Sequence, residues 1–436
     1  MSMQRNRAIA SIKAGARWKM LMEAAASGHL DEDVAALDAP LVPGGLQPNL
    51  SLASRHSVPG TDMAMDPLQG RTGLSRDMAA VWALVMGSPI NLLLLALPVA
   101  AWANYAQWSA VAVFSLNFCS LIPLALILGD ITEDLAVRFG ETVGGLINAS
   151  FGNVVEIILS IAALQKGLYT VVAASLLGSI LSNLLLVLGC CMFFGGLNFK
   201  TQTFNAVGNR ACSSLLFLSV IGIVMPTAAG VLVLDHEGKE DWLLDVSRAT
   251  ATILLVIYVL YLAFQLGTHK ELFSGEGEAD GAVPRLSLTA ALGCLTLITV
   301  IVSACSEYLT ASLEAVSHKT GLSQGFLGLI VLPIAGNACE HITAVIVATK
   351  NKMDLALGVA VGSSIQIALF AMPLCVVVGW ATGHPFSMEL DPFSAVVLTA
   401  SVIHSNFITA DATSHWLLGV QLVAVYFLVA VTYYFR

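Results

Sequence analysis

Two glutamates in apolar surroundings, 184 residues apart, sit in matching frames. Residues 152–156 read Gly-Asn-Val-Val-Glu and residues 336–340 read Gly-Asn-Ala-Cys-Glu. A shift of 184 keeps the register without a gap: Gly152 falls on Gly336, Asn153 on Asn337, Glu156 on Glu340, Lys166 on Lys350, and Gly178-Ser179 on Gly362-Ser363. Of the seven identities between 152 and 183, six are Gly, Asn, Glu, Lys or Ser. Unrelated apolar helices would instead coincide through Leu, Ile, Val and Ala. A carboxylate at the centre of a lone membrane helix costs about 2.5–3.5 kcal/mol. A duplicated pair of them therefore points to a functional site.

The chemistry follows from the neighbours. Gly and Asn just ahead of each Glu disfavour a regular helix, and Pro333 helps to break the second copy. A broken helix at membrane depth frees carbonyls that protein, water or an ion must satisfy. Asn153 with Glu156, and Asn337 with Glu340, share a face if the helix resumes promptly. The next apolar segment adds Ser179, Ser182 and Asn183 in the first copy, and Ser363, Ser364 and Gln366 in the second. Every one of these ligands, with the backbone of Gly152 and Gly336, is a hard oxygen. No Cys/His set for zinc accompanies them; His236 and Glu237 lie in a loop without the second His. Two carboxylates and several neutral oxygens suit Ca2+, which takes 6–8 oxygen ligands, better than Mg2+ with its strict octahedron. Protons can neutralise the same two carboxylates, so cation and proton compete for one site. His341 beside Glu340 is either a proton partner or a packed polar residue.

The elements that must carry these groups are membrane helices. The chain is 57% hydrophobic and only 11% charged, with a mean hydropathy of +0.81; soluble domains average about 25% charged residues. Eleven apolar segments are long enough to cross a hydrocarbon core of about 30 Å. They lie near 80–104, 108–128, 142–165, 170–196, 207–230, 249–267, 287–306, 322–349, 355–380, 391–410 and 416–435. The two clusters occupy segments three and four, and eight and nine. An offset of five spans puts the copies in opposite orientations, as in transporters with inverted repeats. The expected fold is an all-α polytopic membrane protein with eleven transmembrane helices. Its parts are a polar tail (1–78), an extra helix (79–105), a five-helix repeat (106–267), an acidic linker (268–286) and an inverted five-helix repeat (287–436).

With the amino-terminus in the cytosol, fifteen Lys and Arg face that side and five the other, in line with the positive-inside rule. The first 22 residues hold five basic residues and no acid, which fits a surface-lying helix, a transit peptide or an unstructured tail. The Gly-rich acidic stretch 268–285 reads as a solvated linker. The net charge of −9 argues against nucleic acid as a partner. All eight cysteines lie in apolar runs and read as small core residues. The expected partners are Ca2+ (or Mn2+ and other divalents), protons and the lipid bilayer, with no cofactor; a homo-oligomer is compatible with the composition.

Gly-Gly-Leu-Ile-Asn-Ala-Ser-Phe-Gly-Asn-Val-Val-Glu (144–156) and Gly-Asn-Ala-Cys-Glu-His (336–341) resemble the two repeat motifs of the cation/proton exchanger family. So do 351–366, which contains Leu-Gly-Val-Ala-Val-Gly-Ser-Ser-Ile-Gln, and Asn-Phe-Ile-Thr-Ala-Asp (406–411). The resemblance runs from about residue 88 to the end. It implies Ca2+/H+ exchange in a vacuolar or similar acidic-compartment membrane, Glu156 and Glu340 as cation and proton ligands with Asn153 and Asn337 beside them, and spans two and seven as gating helices. The sequence departs from the family in Asp411-Ala-Thr-Ser-His-Trp416 and in the tail. A cation channel, an exchanger with another coupling ion such as Na+, and an intramembrane metal-dependent hydrolase using His341 stay open as alternatives.

Overall fold

The computed structural model describes residues 73–232, 239–272 and 284–436. The basic tail, the acids Asp235 and Glu237 with His236, and the centre of the linker lie outside the described residues. The rest is helical, as the composition requires, because only helices satisfy every backbone group of a lipid-exposed chain.

The first departure from the expected layout comes at once. Helix α1 (Leu74–Met86) is bent by 97° from the run Pro89–Tyr105. That run is a 3-10 stretch, Pro89–Leu95, followed by α2 (Ala96–Tyr105). Pro89 cannot continue a helix from Gly87-Ser88, and the Ser88 hydroxyl caps the new start by accepting from the Ile90 N–H. Seven residues at about 2.0 Å and ten at about 1.5 Å span roughly 29 Å, so this run alone matches the hydrocarbon core. The span read at 80–104 thus starts later, and α1 lies across its end.

Helix α3 (Ala110–Phe151) is continuous where a loop was expected near 129–141, but only its part Ala110–Phe139 is an apolar span. A Cβ built on Gly144 would lie 3.1 Å from the Ala136 Cα. Eight residues of straight helix would separate them by about 12 Å. The run therefore turns back on itself within 137–143, and residues 144–151 lead toward α4 (Val154–Gln165).

Next come α5 (Tyr169–Leu181), a π turn (Ser182–Val187) and α6 (Leu188–Asn198), which form one span. Helices α7 (Ala206–Leu232) and α8 (Lys239–Ala263) complete the first half. The sixth span starts ten residues earlier than the apolar run at 249 suggests. Glu240 and Asp241 are its first turn, where the helix dipole favours acids.

The second half holds α9 (Leu288–Thr320) and a broken span. The latter is α10 (Gln324–Phe326), a π turn (Leu327–Val331), α11 (Leu332–Gly336) and α12 (Ala338–Thr349), bent by 61°. Then α13 (Met353–Gln366), a π turn (Ile367–Ala371) and α14 (Met372–Thr382) form one span, followed by α15 (Pro392–Thr409) and α16 (Trp416–Phe435). On length and apolarity, eight described helices can cross a membrane, or up to ten with the two bent pairs counted as spans. The eleventh expected span, 142–165, falls short because Gly152-Asn153 divides it and leaves a 12-residue apolar helix.

Burial sets the layers. The spans Tyr169–Asn198 and Met353–Thr382 have 83% and 67% of their apolar windows buried, against 22–28% for Lys239–Thr268, Leu288–Thr320 and Trp416–Phe435. The first two are the centre of the bundle and the others its lipid-facing rim. Small residues let backbones meet: Gly419 of α16 lies against Gly189 and Met192 of α6. The all-α expectation misses one detail. A two-residue antiparallel ladder joins β1 (Gln202–Thr203) to β2 (Thr413–Ser414), with Gln202 opposite Ser414.

The linker re-enters the fold through a clamp. Asp134 accepts from the N–H groups of Arg285 and Leu286, Asp77 accepts from the Ser287 N–H and hydroxyl, and Arg76 donates to the Pro284 carbonyl. This ties the start of α9 to α1 and α3.

Candidate cation site

Each break is made by its asparagine. Asn153 (φ −108°, ψ 26°) begins α4, and Asn337 (φ −86°, ψ 8°) ends α11 and begins α12. A side chain at such a position normally accepts from the first-turn N–H groups. Neither asparagine does so here, so both amides are turned away from their own helices. Glu156 and Glu340 each occupy the first turn of the resuming helix, where the positive end of the dipole supports an anion.

The two halves interlock at this level. Glu340 accepts from the Ser363 hydroxyl of α13 at 2.6 Å and from the Asn183 amide of the opposite half at 3.3 Å. The Glu156 carboxylate lies on Gly336: a Cβ there would come 3.0 Å from the Glu156 Cδ, and closer still to Oε1. Gly336 is thus needed for close approach. Asn153 donates to the Gln366 Oε1 at 2.6 Å. The Ser182 hydroxyl and the His341 Nε2 are 3.1 Å apart. The sequence-predicted residues Asn153, Glu156, Ser182, Gly336, Glu340, His341, Ser363 and Gln366 therefore come together pairwise across the halves.

What stays unpartnered matters most. Glu156 Oε2, Asn153 Oδ1, Asn183 Oδ1, Ser179 Oγ and both polar atoms of Asn337 are buried without a hydrogen-bond partner. An unsatisfied buried polar atom ordinarily costs about 1–3 kcal/mol. Six at one level, beside two carboxylates, form an oxygen-rich centre suited to a hard cation. Among the described residues no group of three or more His, Cys, Asp and Glu could hold a metal, so any ion here takes two carboxylates and neutral oxygens.

Some placements depart from the expectation. The Gln366 oxygen is taken by Asn153, which puts Gln366 behind that asparagine. Gly152 is exposed and its built Cβ would lie 3.6 Å from the Gln366 Oε1. Lys166 pairs with Glu307 at 3.8 Å in an exposed contact of little energetic weight.

Sequence reasoning missed three features. The π turns Ser182–Val187 and Ile367–Ala371 end at positions 184 residues apart, directly after Ser182 and Gln366; such turns re-aim side chains and recur at functional sites. Ser160 follows Glu156 by one turn and is buried with an unpartnered hydroxyl, a position that the helical period alone points out. Ser306 of α9 is likewise buried and unpartnered, and no local pattern marks it.

The family pattern described as sodium/calcium exchanger protein matches residues 109–267 and 290–435. The vacuolar calcium ion transporter of Schizosaccharomyces pombe is 42% identical over 355 residues, covering 81% of this chain and 86% of that protein. The Ca2+/H+ antiporter of Aphanothece halophytica is 41% identical over 361 residues, covering 79% and 95%. Among solved structures, native YfkE is 32% identical, superposes with a TM-score of 0.69 and covers 80% of this chain and all of its own. On these matches the chain belongs to the sodium/calcium exchanger family, in its cation/proton exchanger branch.

Proposed function

We propose that the protein exchanges cytosolic Ca2+ for protons from an acidic compartment, in a vacuolar-type membrane, by alternating access to a midplane site built on Glu156 and Glu340. The observation that carries this reading is the set of buried, unpartnered oxygens around two carboxylates on broken helices. Relatives named as vacuolar calcium transporters and Ca2+/H+ antiporters support the choice of ions and membrane.

The mechanism follows from charge. Two carboxylates in a low dielectric repel unless something neutralises them. Ca2+ bridges them and gains the neutral oxygens of Asn153, Asn337, Asn183, Ser179 and Ser363. Protons neutralise the same oxygens individually and remove the bridge. Either load makes the site electrically mild enough to sit in the closed bundle, while the empty dianion is not. Loaded states therefore interconvert and the empty state does not, which couples the two flows.

In this reading one helix stands outside two inverted five-span halves, and the amino-terminus and the Asp354 end of α13 are cytosolic. His341 holds Ser182 and lies next to the proton-bearing Glu340. Mn2+, with a similar taste for oxygen, competes with Ca2+. A channel would need an opening on both sides, whereas the packing of Gly178 against Leu329 closes one of them.

The test is Ca2+ uptake into vesicles reconstituted with the protein, under an imposed pH gradient. Uptake should follow the gradient and collapse on adding a protonophore. Uptake that ignores the protonophore but follows membrane voltage overturns the exchange reading.

A further inference from the structure

The site is approached unequally from its two ends. Glu156, Asn153, Ser179 and Ser182 are buried, while Gly152, Glu340, His341 and Gln366 retain solvent exposure. Away from the exposed end the halves are docked. The backbone of Leu329 lies on Gly178, where a built Cβ would come 2.7 Å from the Leu329 Cα. One turn along, a Cβ on Gly328 would come 2.9 Å from the Ala174 Cβ. Leu329 and Ala174 are both buried. Span eight and α5 thus close this end by backbone contact.

The 184-residue shift converts that contact into a second one. Ala174 and Gly178 become Gly358 and Gly362, and Gly328 and Leu329 become Gly144 and Gly145. Of the two partners in this second contact, α13 presents an undocked face. A Cβ on Gly358 or Gly362 would meet no atom within 4 Å. Asp354 and Gly358 are exposed and Gly362 and Gln366 half-buried, four residues apart along one face of α13 that leads to the site. Gly144 and Gly145 instead rest against Ala136 and Leu266.

We propose that the protein closes its Asp354 end by moving Gly144 and Gly145 off Ala136 and Leu266 and docking them on Gly358 and Gly362. The contact is the repeat-related twin of the Gly328-Leu329 contact on Ala174 and Gly178. All four positions of the new seam are glycine, so the backbones can approach more closely than in the docked pair, which holds one Ala and one Leu. Close backbone approach is how membrane helices associate without a hydrophobic driving force between them. The proposal rests on the alternating-access reading above.

The experiment uses Gly358→Leu and Gly362→Leu in the full chain, reconstituted in vesicles. In the open arrangement the added side chain enters free space, so each variant should fold and still be stabilised by Ca2+ in a thermal-shift assay. Closure should be blocked, and pH-driven Ca2+ uptake should fall at least tenfold. Gly293→Leu is the control: Gly293 is exposed on α9 with no atom within 4 Å of its built Cβ, and this variant should transport normally. A Gly145→Cys/Gly362→Cys chain should form a disulfide under turnover, read as the linked peptide by mass spectrometry; Gly145→Cys/Gly293→Cys should not. Uptake within twofold of wild type in both leucine variants overturns the seam. So does loss of the Ca2+-dependent stabilisation, because the change then acts on the site itself. If the wild type shows no pH-driven uptake, the exchange reading fails instead, and the presence or absence of the 145–362 link still decides the seam.

Discussion

Gly336→Ala separates a binding role for Glu156 from a structural one. The added methyl would sit 3.0 Å from the Glu156 Cδ and closer to Oε1, where comfortable contact between heavy atoms needs about 3.5–4.0 Å. The atom that must yield is the free end of a flexible side chain, with an unpartnered Oε2. Folding therefore loses little: a rotamer shift costs on the order of 0.5–1.5 kcal/mol. A cation ligand displaced by about 1 Å loses far more, since misplacements of that size cost up to about 100-fold where geometry matters. The variant should raise the Ca2+ concentration for half-maximal pH-driven uptake by about 10- to 100-fold, or about 1.4–2.7 kcal/mol at tenfold per 1.4 kcal/mol. Its melting temperature should stay within a few degrees of wild type. Ca2+ titrations of uptake in vesicles, with thermal unfolding in parallel, measure both. An unchanged half-saturation in a folded variant would refute Glu156 as a ligand held in place by Gly336.

Glu156→Gln and Glu340→Gln should each abolish proton-coupled Ca2+ uptake with little loss of stability, because a neutral amide is cheaper in the membrane than a carboxylate; the double variant should be no worse than either single one, since the two act as a unit. Near-wild-type uptake in either would make that glutamate structural. Gln366→Ala removes the 2.6 Å bond that holds the Asn153 amide, so competition between Ca2+ and Mn2+ should change more than the maximal rate; identical competition curves would count against this role. Burial disfavours the Asp391 carboxylate, but the Ser394 hydroxyl and Arg436 outweigh it and hold its pKa below the usual range. Its contribution to stability is therefore complete above the unfolded value of about 4 and is lost as pH falls through the lower folded value. Thermal unfolding of Asp391→Asn should show its largest deficit at neutral pH and a shrinking one below pH 4; a deficit independent of pH would refute the ion-pair account.

Much of this protein is determined by local chemistry that the sequence displays directly. Its apolar composition allows only helices across a membrane. The 184-residue echo of Gly, Asn, Glu and Ser picks out Asn153, Glu156, Asn337, Glu340 and Ser363, because the residues that break a helix and those that ligate an ion stand next to one another in the chain. Other features were settled only by tertiary packing. The 97° bend ahead of Pro89 and the reversal within 137–143 depend on what the chain docks against, and apolar runs carry no mark of it. The pairings Asn183–Glu340 and Asn153–Gln366 join residues 157 and 213 positions apart, and a side chain's own segment does not specify a partner across an inverted repeat. Nor could the sequence say which end of the site is open. Nearly the same residues can dock at either end, and the difference lies in the balance between two packings of one chain, with Gly178 on Leu329 and Gly362 facing open space.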